Sequence, residues 1–255
     1  MILRRIEPSE VQLVSVLGRV SPLTKLIVAL ALLAGLALTR AILPPVLVTI
    51  AVLGAGRLLG DIPGRRLLAG VAPLWLAALG IGLSNALFSG TNSDPTQAVA
   101  IAIGPVHITW AALAAGAGLA ARVIAITAVG VVFAQTTDST RLVDSLVQQG
   151  RAPERFAYGA LAAYQAIPRL ADHLTSLRQA RRIRGLRGSW HPRLLVGLLV
   201  LAIRHGDRLA LAMDARAFGS GPRSRYRVVR WSWLDPALVA GAGAVLVVAL
   251  TVGGG

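Results

Sequence analysis

Five long apolar runs constrain the fold of this sequence more than any other feature. They cover residues 26–38, 42–59, 67–88, 108–133 and 234–252, and the mean hydropathy of the whole chain is +0.67. A helix needs about 20 apolar residues to cross a bilayer. The first two runs together exceed one crossing, so the chain is expected to turn back between them, at Thr39-Arg40 and Pro44-Pro45. The sequence therefore predicts an all-α integral membrane protein with about five transmembrane helices.

The distribution of basic residues predicts how these helices are oriented. No Lys or Arg occurs between Leu67 and Ala121, so the polar loop at 89–95 is expected outside the cell. The charged N-terminal segment is expected inside, and the first apolar run begins too late for a cleaved secretory signal. Five crossings then leave the C-terminus outside. Lys25, at the start of the first run, is expected at the headgroup boundary.

A basic block between the fourth and fifth runs carries most of the charge. Residues 141–230 contain 17 of the 26 Lys and Arg but five of the 11 Asp and Glu. An isoelectric point near 11.8 would suggest a nucleic-acid partner in a soluble protein. In a membrane protein the same excess follows from the positive charge of cytoplasmic loops, and aromatic residues for base stacking make up only 5%. The sequence therefore predicts no nucleic-acid partner.

The predicted chain has three parts, which are a four-span bundle (1–135), a cytoplasmic region (136–230) and a last membrane helix (231–255). In the cytoplasmic region, Asp138 or Ser139 can cap a short helix. Pro153 can then begin a second helix, which is expected to run to about Gly185 with a kink at Pro168. The first half of that helix is apolar and the second half is charged, which predicts that it leaves the membrane region and projects into the cytosol.

A third cytoplasmic helix is predicted from Pro192 to Gly219, with charged residues on one side of its helical wheel and apolar residues on the other. Its stretch 194–203 is flanked by basic sequence, so we expect it to lie along or dip into the inner face of the membrane. Each long helix ends in an arginine motif, Ile183-Arg184-Gly185 or Ala215-Arg216-Ala217. The helix dipole favours arginine there, and the planar guanidinium can pair with a carboxylate or backbone carbonyls of a partner.

At these motifs the chain resembles the transmembrane T component (EcfT/CbiQ family) of energy-coupling factor (ECF) transporters, in which two arginine signatures end two cytoplasmic coupling helices. The second signature and its surroundings match at Ala212, Met213, Asp214, Ala215, Arg216, Phe218 and Gly219. Ala217 stands where glycine is usual, and Ile183 replaces the usual alanine before Arg184 and Gly185. These departures concern the tightness of docking, and Ala217 is expected to tolerate most helical geometries.

The resemblance implies an energy-coupling scaffold of an importer in the bacterial cell membrane. Its partners would be two ABC-type ATPases, a small substrate-binding membrane subunit and membrane lipids. Arg184 and Arg216 would lie in grooves on the two ATPases, and the apolar faces of the two helices would transmit ATP-driven motion to the substrate-binding subunit. Specificity in this family lies in that subunit, so a vitamin and a transition-metal ion both remain open as substrates. The chain itself would bind no cofactor, since ATP and magnesium belong to the ATPases.

Two other functions remain open from the residues alone, a membrane enzyme such as a lipid-modifying transferase and an autonomous permease. The enzyme would need clustered acids or histidines, whereas the four histidines are scattered. Cysteine is absent from the sequence, and its only lysine, Lys25, is not part of a P-loop, so no catalytic residue and no metal ligand are predicted. A permease would need ionisable residues inside spans. Arg122 is the one candidate, and we expect it to form a structural ion pair or a carbonyl contact.

Overall fold

The computed structural model describes residues 15–39, 41–94, 96–103, 106–186, 191–221 and 227–253, so the charged N-terminal segment and the basic residues at 222–226 lie outside the described ranges. The first helices are α1 (Val16–Arg19), α2 (Pro22–Leu38), α3 (Leu43–Leu58) and α4 (Gly64–Leu87), followed by the strands β1 (Val99–Ile103) and β2 (Val106–Thr109). The remaining helices are α5 (Trp110–Thr136), α6 (Ser139–Gln148), α7 (Glu154–Ile183), α8 (Pro192–Ala215) and α9 (Leu234–Gly253).

The chain forms two compact units. Met1–Leu142 with Arg230–Gly255 makes up the first unit, which we call the membrane bundle. Val143–Val229 makes up the second unit, which we call the arginine unit.

The apolar helices of the membrane bundle correspond to the five predicted runs. Helices α4, α5 and α9 are long and apolar enough to cross a membrane, and α2 and α3 are apolar but shorter, with 17 and 16 residues. At ~1.5 Å per residue α2 is ~26 Å long, close to the ~30 Å of a hydrocarbon core. Both short helices have proline in their first turn, where the missing N–H costs no helical hydrogen bond. The prediction of an all-α membrane protein is therefore confirmed, and within the described residues three of the five predicted spans are long enough to cross a membrane.

Small residues bring α4 and α5 into direct backbone contact. A Cβ atom placed on Gly82 would lie 2.9 Å from the carbonyl oxygen of Gly116, which leaves no room for a side chain. Such close approaches allow helices to pack in lipid, where the hydrophobic effect does not drive them together. A separate apolar cluster with Leu36, Val48 and Val129 joins α2, α3 and α5. Local packing of this kind holds the membrane bundle together.

A buried carboxylate links the first and last membrane helices at one end of the bundle. Asp235, in the first turn of α9, accepts hydrogen bonds from the amide of Ser21 at 2.8 Å and from the amide of Ser232 at 2.5 Å. Asp235 is only 1% exposed, so these backbone donors replace the water that its carboxylate loses. Ser21 is the N-cap of α2, and the start of α9 is therefore tied to the start of α2.

Lys25 lies at the same end of the bundle, near the predicted headgroup boundary, but protein covers it. Its ammonium donates to the carbonyl oxygen of Thr136, the last residue of α5, at 2.6 Å. Carbonyls in the last turn of a helix lack intrahelical donors, so the cation caps α5. Arg141 donates in a similar way to the carbonyl oxygen of Gly18, at 3.0 Å. Apart from Arg122, the described basic residues of the bundle all lie at this end, which we call the basic end.

The opposite end of the bundle carries an antiparallel β1–β2 hairpin that the sequence does not predict. Strand β2 occupies the place where the fourth apolar run was expected to begin its helix. The helix begins instead at Trp110, because Thr109 is its N-cap and accepts a hydrogen bond from the amide of Ala112 at 3.3 Å. Asn92 fixes the hairpin to α4, since its side-chain amide donates to the carbonyl of Ala86 at 2.7 Å and its Oδ1 accepts from the amide of Thr109 at 3.0 Å.

In the arginine unit, α7 and α8 run antiparallel. Near their connection, Leu177 of α7 lies against Gly197 of α8, where an added Cβ atom would be 3.6 Å from the leucine. At the other end, the ring of Tyr158, near the start of α7, contacts the ring of Phe218, just beyond the end of α8. The two contacts place the end of each helix beside the beginning of the other.

The ends of these helices differ in part from the prediction. The carboxylate of Asp138 accepts a hydrogen bond from the amide of Thr140 at 2.8 Å, which is the predicted cap of the short helix α6. Helix α8 ends at Ala215 rather than at Gly219, and the stretch 194–203 forms part of it. The predicted end of α8 is therefore wrong by four residues, and the reason lies in the backbone of the second arginine motif.

Candidate functional site: two arginine-capped helix ends

The first arginine motif forms a tight C-terminal cap on α7. Arg184 is the last residue with near-helical geometry, and Gly185 follows with a φ of +71°. The amide of Gly185 donates to the carbonyl of Arg182, and the amide of Leu186 donates to the carbonyl of Arg181, both at 3.1 Å. This pair of bonds, with a left-handed residue at its centre, is the Schellman motif, which satisfies carbonyls that the helix leaves without donors.

The second arginine motif forms the same cap on α8. The amide of Ala217 donates to the carbonyl of Asp214 at 2.9 Å, and the amide of Phe218 donates to the carbonyl of Met213 at 3.0 Å. Arg216 thus occupies the position that Arg184 occupies in the first cap, directly before the left-handed residue. Two sequence motifs that are 32 residues apart therefore present their arginines from equivalent backbone positions.

The left-handed residue of the second cap is an alanine. Ala217 has a φ of +52°, so the expectation that it would tolerate helical geometry is corrected, because the backbone here is not helical. The Cβ atom of an L-residue is crowded by the neighbouring carbonyl in this conformation, which costs roughly 1 kcal/mol relative to glycine. The geometry gives a physical reason for glycine directly after the arginine, and it identifies Ala217 as a strained substitute.

Aromatic and charged side chains surround the second cap. The rings of Phe218 and Tyr158 pack edge to face, with their centroids 6.1 Å apart and their planes at 81°. The Tyr158 hydroxyl donates to the carboxylate of Asp144, on α6, at 2.8 Å. Beyond Phe218, an added Cβ atom on Gly219 would lie 2.9 Å from Cγ of Arg155. Two helices, α6 and α7, thus contribute to the support of the second cap at the end of α8.

The first cap is more exposed. Ile183, directly before its arginine, is 87% exposed, and Leu186, which corresponds to Phe218, is 51% exposed. Arg184 and Arg216 are themselves both exposed to solvent. The two predicted arginines are thus exposed residues at two helix ends, one on a supported cap and one on an exposed cap.

The two caps lie at opposite ends of the α7–α8 pair. Tyr158, which packs against the second cap, precedes Arg184 by 26 residues along α7. At ~1.5 Å per residue the two caps are therefore ~40 Å apart. Each arginine also lies at a helix C-terminus, where the partial negative charge of the last carbonyls stabilises a cation.

The other residues predicted for the site lie in or next to the second cap, except for Arg122, which lies in the membrane bundle. Met213 and Asp214 supply the carbonyls that accept the cap hydrogen bonds of α8, and Ala212 is exposed on the preceding turn. Arg122 lies in the membrane bundle, half buried in α5, and its guanidinium donates to the carbonyl oxygen of Thr39 at the end of α2. Arg122 thus makes a carbonyl contact within the bundle and takes no part in the arginine caps.

Sequence reasoning missed the residues that support the second cap. Arg155, Tyr158 and Asp144 lie 58 to 72 residues before Arg216, and no spacing rule relates them to it. Within the described ranges, no group of three or more His, Asp or Glu side chains is arranged to hold a metal ion. The candidate site is a pair of arginine-capped helix ends, and its groups offer hydrogen bonding and positive charge.

Fold and site together define a multi-pass helical membrane protein whose candidate site is a pair of exposed arginine caps. The family model CbiQ, described as cobalt transport protein, matches residues 14–227, a range that includes both caps. The chain belongs to this CbiQ family, whose members are transport components rather than catalytic enzymes.

Curated relatives extend this finding. The energy-coupling factor transporter transmembrane protein EcfT of Heliobacterium modesticaldum is 31% identical over 203 residues, which cover 73% of this chain and 74% of that protein. The EcfT of Listeria innocua is 30% identical over 159 residues, or 55% of this chain and 60% of that protein. A putative ABC transporter ATP-binding protein of Bifidobacterium longum is 28% identical over 192 residues, which are 69% of this chain but 24% of that protein.

Proposed function

We propose that this chain couples ATP hydrolysis by two partner ATPases to the movement of a substrate-binding membrane subunit in an ECF transporter. Membership of the CbiQ family and the likeness to EcfT proteins support the energy-coupling role. The observation that carries the proposal is that two arginines occupy equivalent cap positions at opposite ends of one helix pair. Because the two caps have the same backbone geometry, two similar ATPase subunits can bind them in the same way, one at each cap.

The cap geometry suits docking into a groove. In each cap the last carbonyls of the helix already accept backbone hydrogen bonds, so the arginine is not needed to satisfy them. Its guanidinium carries five N–H donors in a planar fork that matches carboxylates and backbone carbonyls of a partner. The separation of ~40 Å leaves room for a separate subunit at each cap.

The relative from Bifidobacterium longum supports ATPase partners. It is named as an ATP-binding protein, and the part that resembles this chain is only about a quarter of its length. One protein thus contains a part similar to this chain and is named for ATP binding, which supports a functional link between this chain and ATP-binding proteins. ATP and magnesium would bind to the partner ATPases.

The apolar side of α8 is the proposed contact with the substrate-binding subunit. Leu195, Leu199 and Ile203 recur at helical spacing and are 48%, 60% and 55% exposed. Motion imposed on the caps by the ATPases would reach that subunit through this surface. The proposed substrate is a vitamin or a transition-metal ion. The basic end and both caps are proposed to face the cytoplasm of a bacterial cell, which the positive charge usual in cytoplasmic loops supports.

Charge reversal at the caps tests the proposal. We expect Arg216→Glu to reduce the amount of ATPase that co-purifies with the tagged chain by at least about 30-fold, because reversing a charge inside a closed groove costs several kcal/mol. Arg184→Glu is expected to act in the same direction but less strongly. ATP hydrolysis by the isolated membrane complex should fall in parallel.

Matched controls separate docking from folding. Arg208→Glu lies on α8 and Arg178→Glu on α7, and both arginines are exposed but outside the caps. These two variants should retain the ATPases. If the double variant of Arg184 and Arg216 binds the ATPases as well as the wild type does, the docking assignment is wrong.

A further inference from the structure

An apolar cavity of about 550 Å³ lies at the basic end of the membrane bundle. Helices α1, α2, α3, α5 and α9 contribute to its wall. Lys25 is the one charged residue among the described residues that line it, and most of the others are aliphatic. The volume falls within the roughly 300–1,000 Å³ that is usual for small-molecule sites. The proposed coupling function does not use this cavity.

The lining of the cavity along α9 is about as long as one leaflet of a bilayer is thick. Along α9 its lining extends from Leu234 to Val245, which is ~17 Å at ~1.5 Å per residue. Half of a ~30 Å hydrocarbon core is ~15 Å. Four of the five helices in the wall are apolar helices of the membrane bundle, so the cavity lies within reach of the hydrocarbon of the leaflet at the basic end.

The polar end of the cavity lies at the level expected for lipid headgroups. Trp233, directly before α9, is 78% exposed, and tryptophan is enriched at membrane–water interfaces. Lys25 is 5% exposed and lines the same end. Its ammonium carries three N–H donors, of which the Thr136 carbonyl accepts one. The nearby carboxylate of Asp235 already accepts two backbone amides, so an anionic ligand would supply Lys25 with an additional partner.

We propose that this cavity holds an acyl chain of an anionic phospholipid, whose phosphate pairs with Lys25. The aliphatic wall fits the chain, the ~17 Å length fits one leaflet, and the buried cation fits the phosphate. Such a lipid would fill the space between α2 and α9.

Filling the cavity from α9 tests the proposal. Gly241 lines the cavity, and an added Cβ atom there meets no atom within 4 Å, so Gly241→Leu places its side chain in the space that the acyl chain would occupy. Gly243 lies on the same helix outside the lining, and an added Cβ atom there also has free space. Gly243→Leu therefore adds the same side chain to the same helix and serves as the matched control.

The full-length chain is reconstituted in vesicles of equal parts phosphatidylglycerol and phosphatidylcholine, extracted in mild detergent and examined by native mass spectrometry. The wild type and Gly243→Leu should retain one phosphatidylglycerol, and Gly241→Leu should retain about tenfold less. Lys25→Met should retain lipid but lose about fivefold of the preference for phosphatidylglycerol. Equal retention by the two glycine variants would overturn the proposal, as would a wild type that retains no lipid.

A photo-crosslinking residue at Leu238, which also lines the cavity, identifies the occupant in the complete transporter. A phospholipid adduct supports the proposal. An adduct with a protein subunit overturns it, because the cavity would then be a protein interface.

Discussion

The two arginine caps share one backbone design but differ in what supports them. In both, the arginine precedes a left-handed residue, and two amides donate back to the last carbonyls of the helix. The first cap has glycine in the left-handed position, and its neighbour Ile183 is 87% exposed. The second cap has the strained Ala217, and Tyr158 packs on its neighbour Phe218. The first cap is therefore stabilised by its own backbone, whereas the second depends on side chains that are distant in sequence.

This difference separates two ways of holding a helix cap in place. A glycine makes the left-handed turn without steric cost, but it leaves the cap free to move with the end of its helix. An aromatic contact fixes the cap to another helix, and it can offset the strain of an alanine. Movement of α7 relative to α8 would therefore reach the second cap through the contact between Tyr158 and Phe218.

The largest expected difference between the two caps is the loss of cap stability when the residue after the left-handed residue is replaced by alanine. Phe218→Ala should destabilise the second cap by about 2–3 kcal/mol, because it removes a half-buried aromatic side chain and its edge-to-face contact. Leu186→Ala, at the equivalent position of the first cap, should cost less than about 0.5 kcal/mol because Leu186 is 51% exposed. Hydrogen exchange of the cap amides measures both. Equal effects would show that the two caps are supported alike.

A smaller effect is expected from the hydroxyl group that joins α7 to α6. Tyr158→Phe keeps the ring that contacts Phe218 but removes the 2.8 Å hydrogen bond to Asp144, whose carboxylate is buried. The loss should be about 1–2 kcal/mol, the cost of leaving a buried acceptor without its donor. Tyr164→Phe, at an exposed position on the same helix, should change little. Hydrogen exchange in α6 and α7 separates the two variants.

The smallest expected changes in cap stability come from substituting the left-handed residues themselves, and the two substitutions should act in opposite directions. Gly185→Ala forces a Cβ atom into a left-handed position and should destabilise the first cap by about 1 kcal/mol. Ala217→Gly relieves the same strain and should stabilise the second cap by a similar amount. Exchange of the amides at 185–186 and 217–218 measures each change. Effects of the same sign would contradict the equivalence of the two caps.

The membrane helices could be predicted because their signal is local. Each run of apolar residues must satisfy its backbone within itself in lipid, so hydropathy alone locates the helix to within a few residues. Proline and glycine likewise marked the ends of α7, where Pro153 is the N-cap and Gly185 has a positive φ. These features depend on residues that are neighbours in the sequence.

The features that the sequence does not predict depend on contacts between residues distant in the sequence or on weak local sequence patterns. The hairpin strands have five and four residues and join directly to an apolar run, so periodicity did not distinguish them from the helix that follows. The end of α8 was placed too late because Ala217, unlike glycine, gives no sign of a left-handed turn. The supports of the second cap come together only when α7 and α8 pack side by side.

The hydrogen bond from the amide of Ser21 to Asp235 has a consequence for biosynthesis. The two residues are separated by 214 positions, so the first membrane helix receives this acceptor only when α9 has been synthesised. Until then the surface of α2 that packs against α9 is exposed to lipid or to the insertion machinery. Completion of the membrane bundle therefore requires α9, and a ribosome that stalls before Leu234 leaves the bundle open along α2.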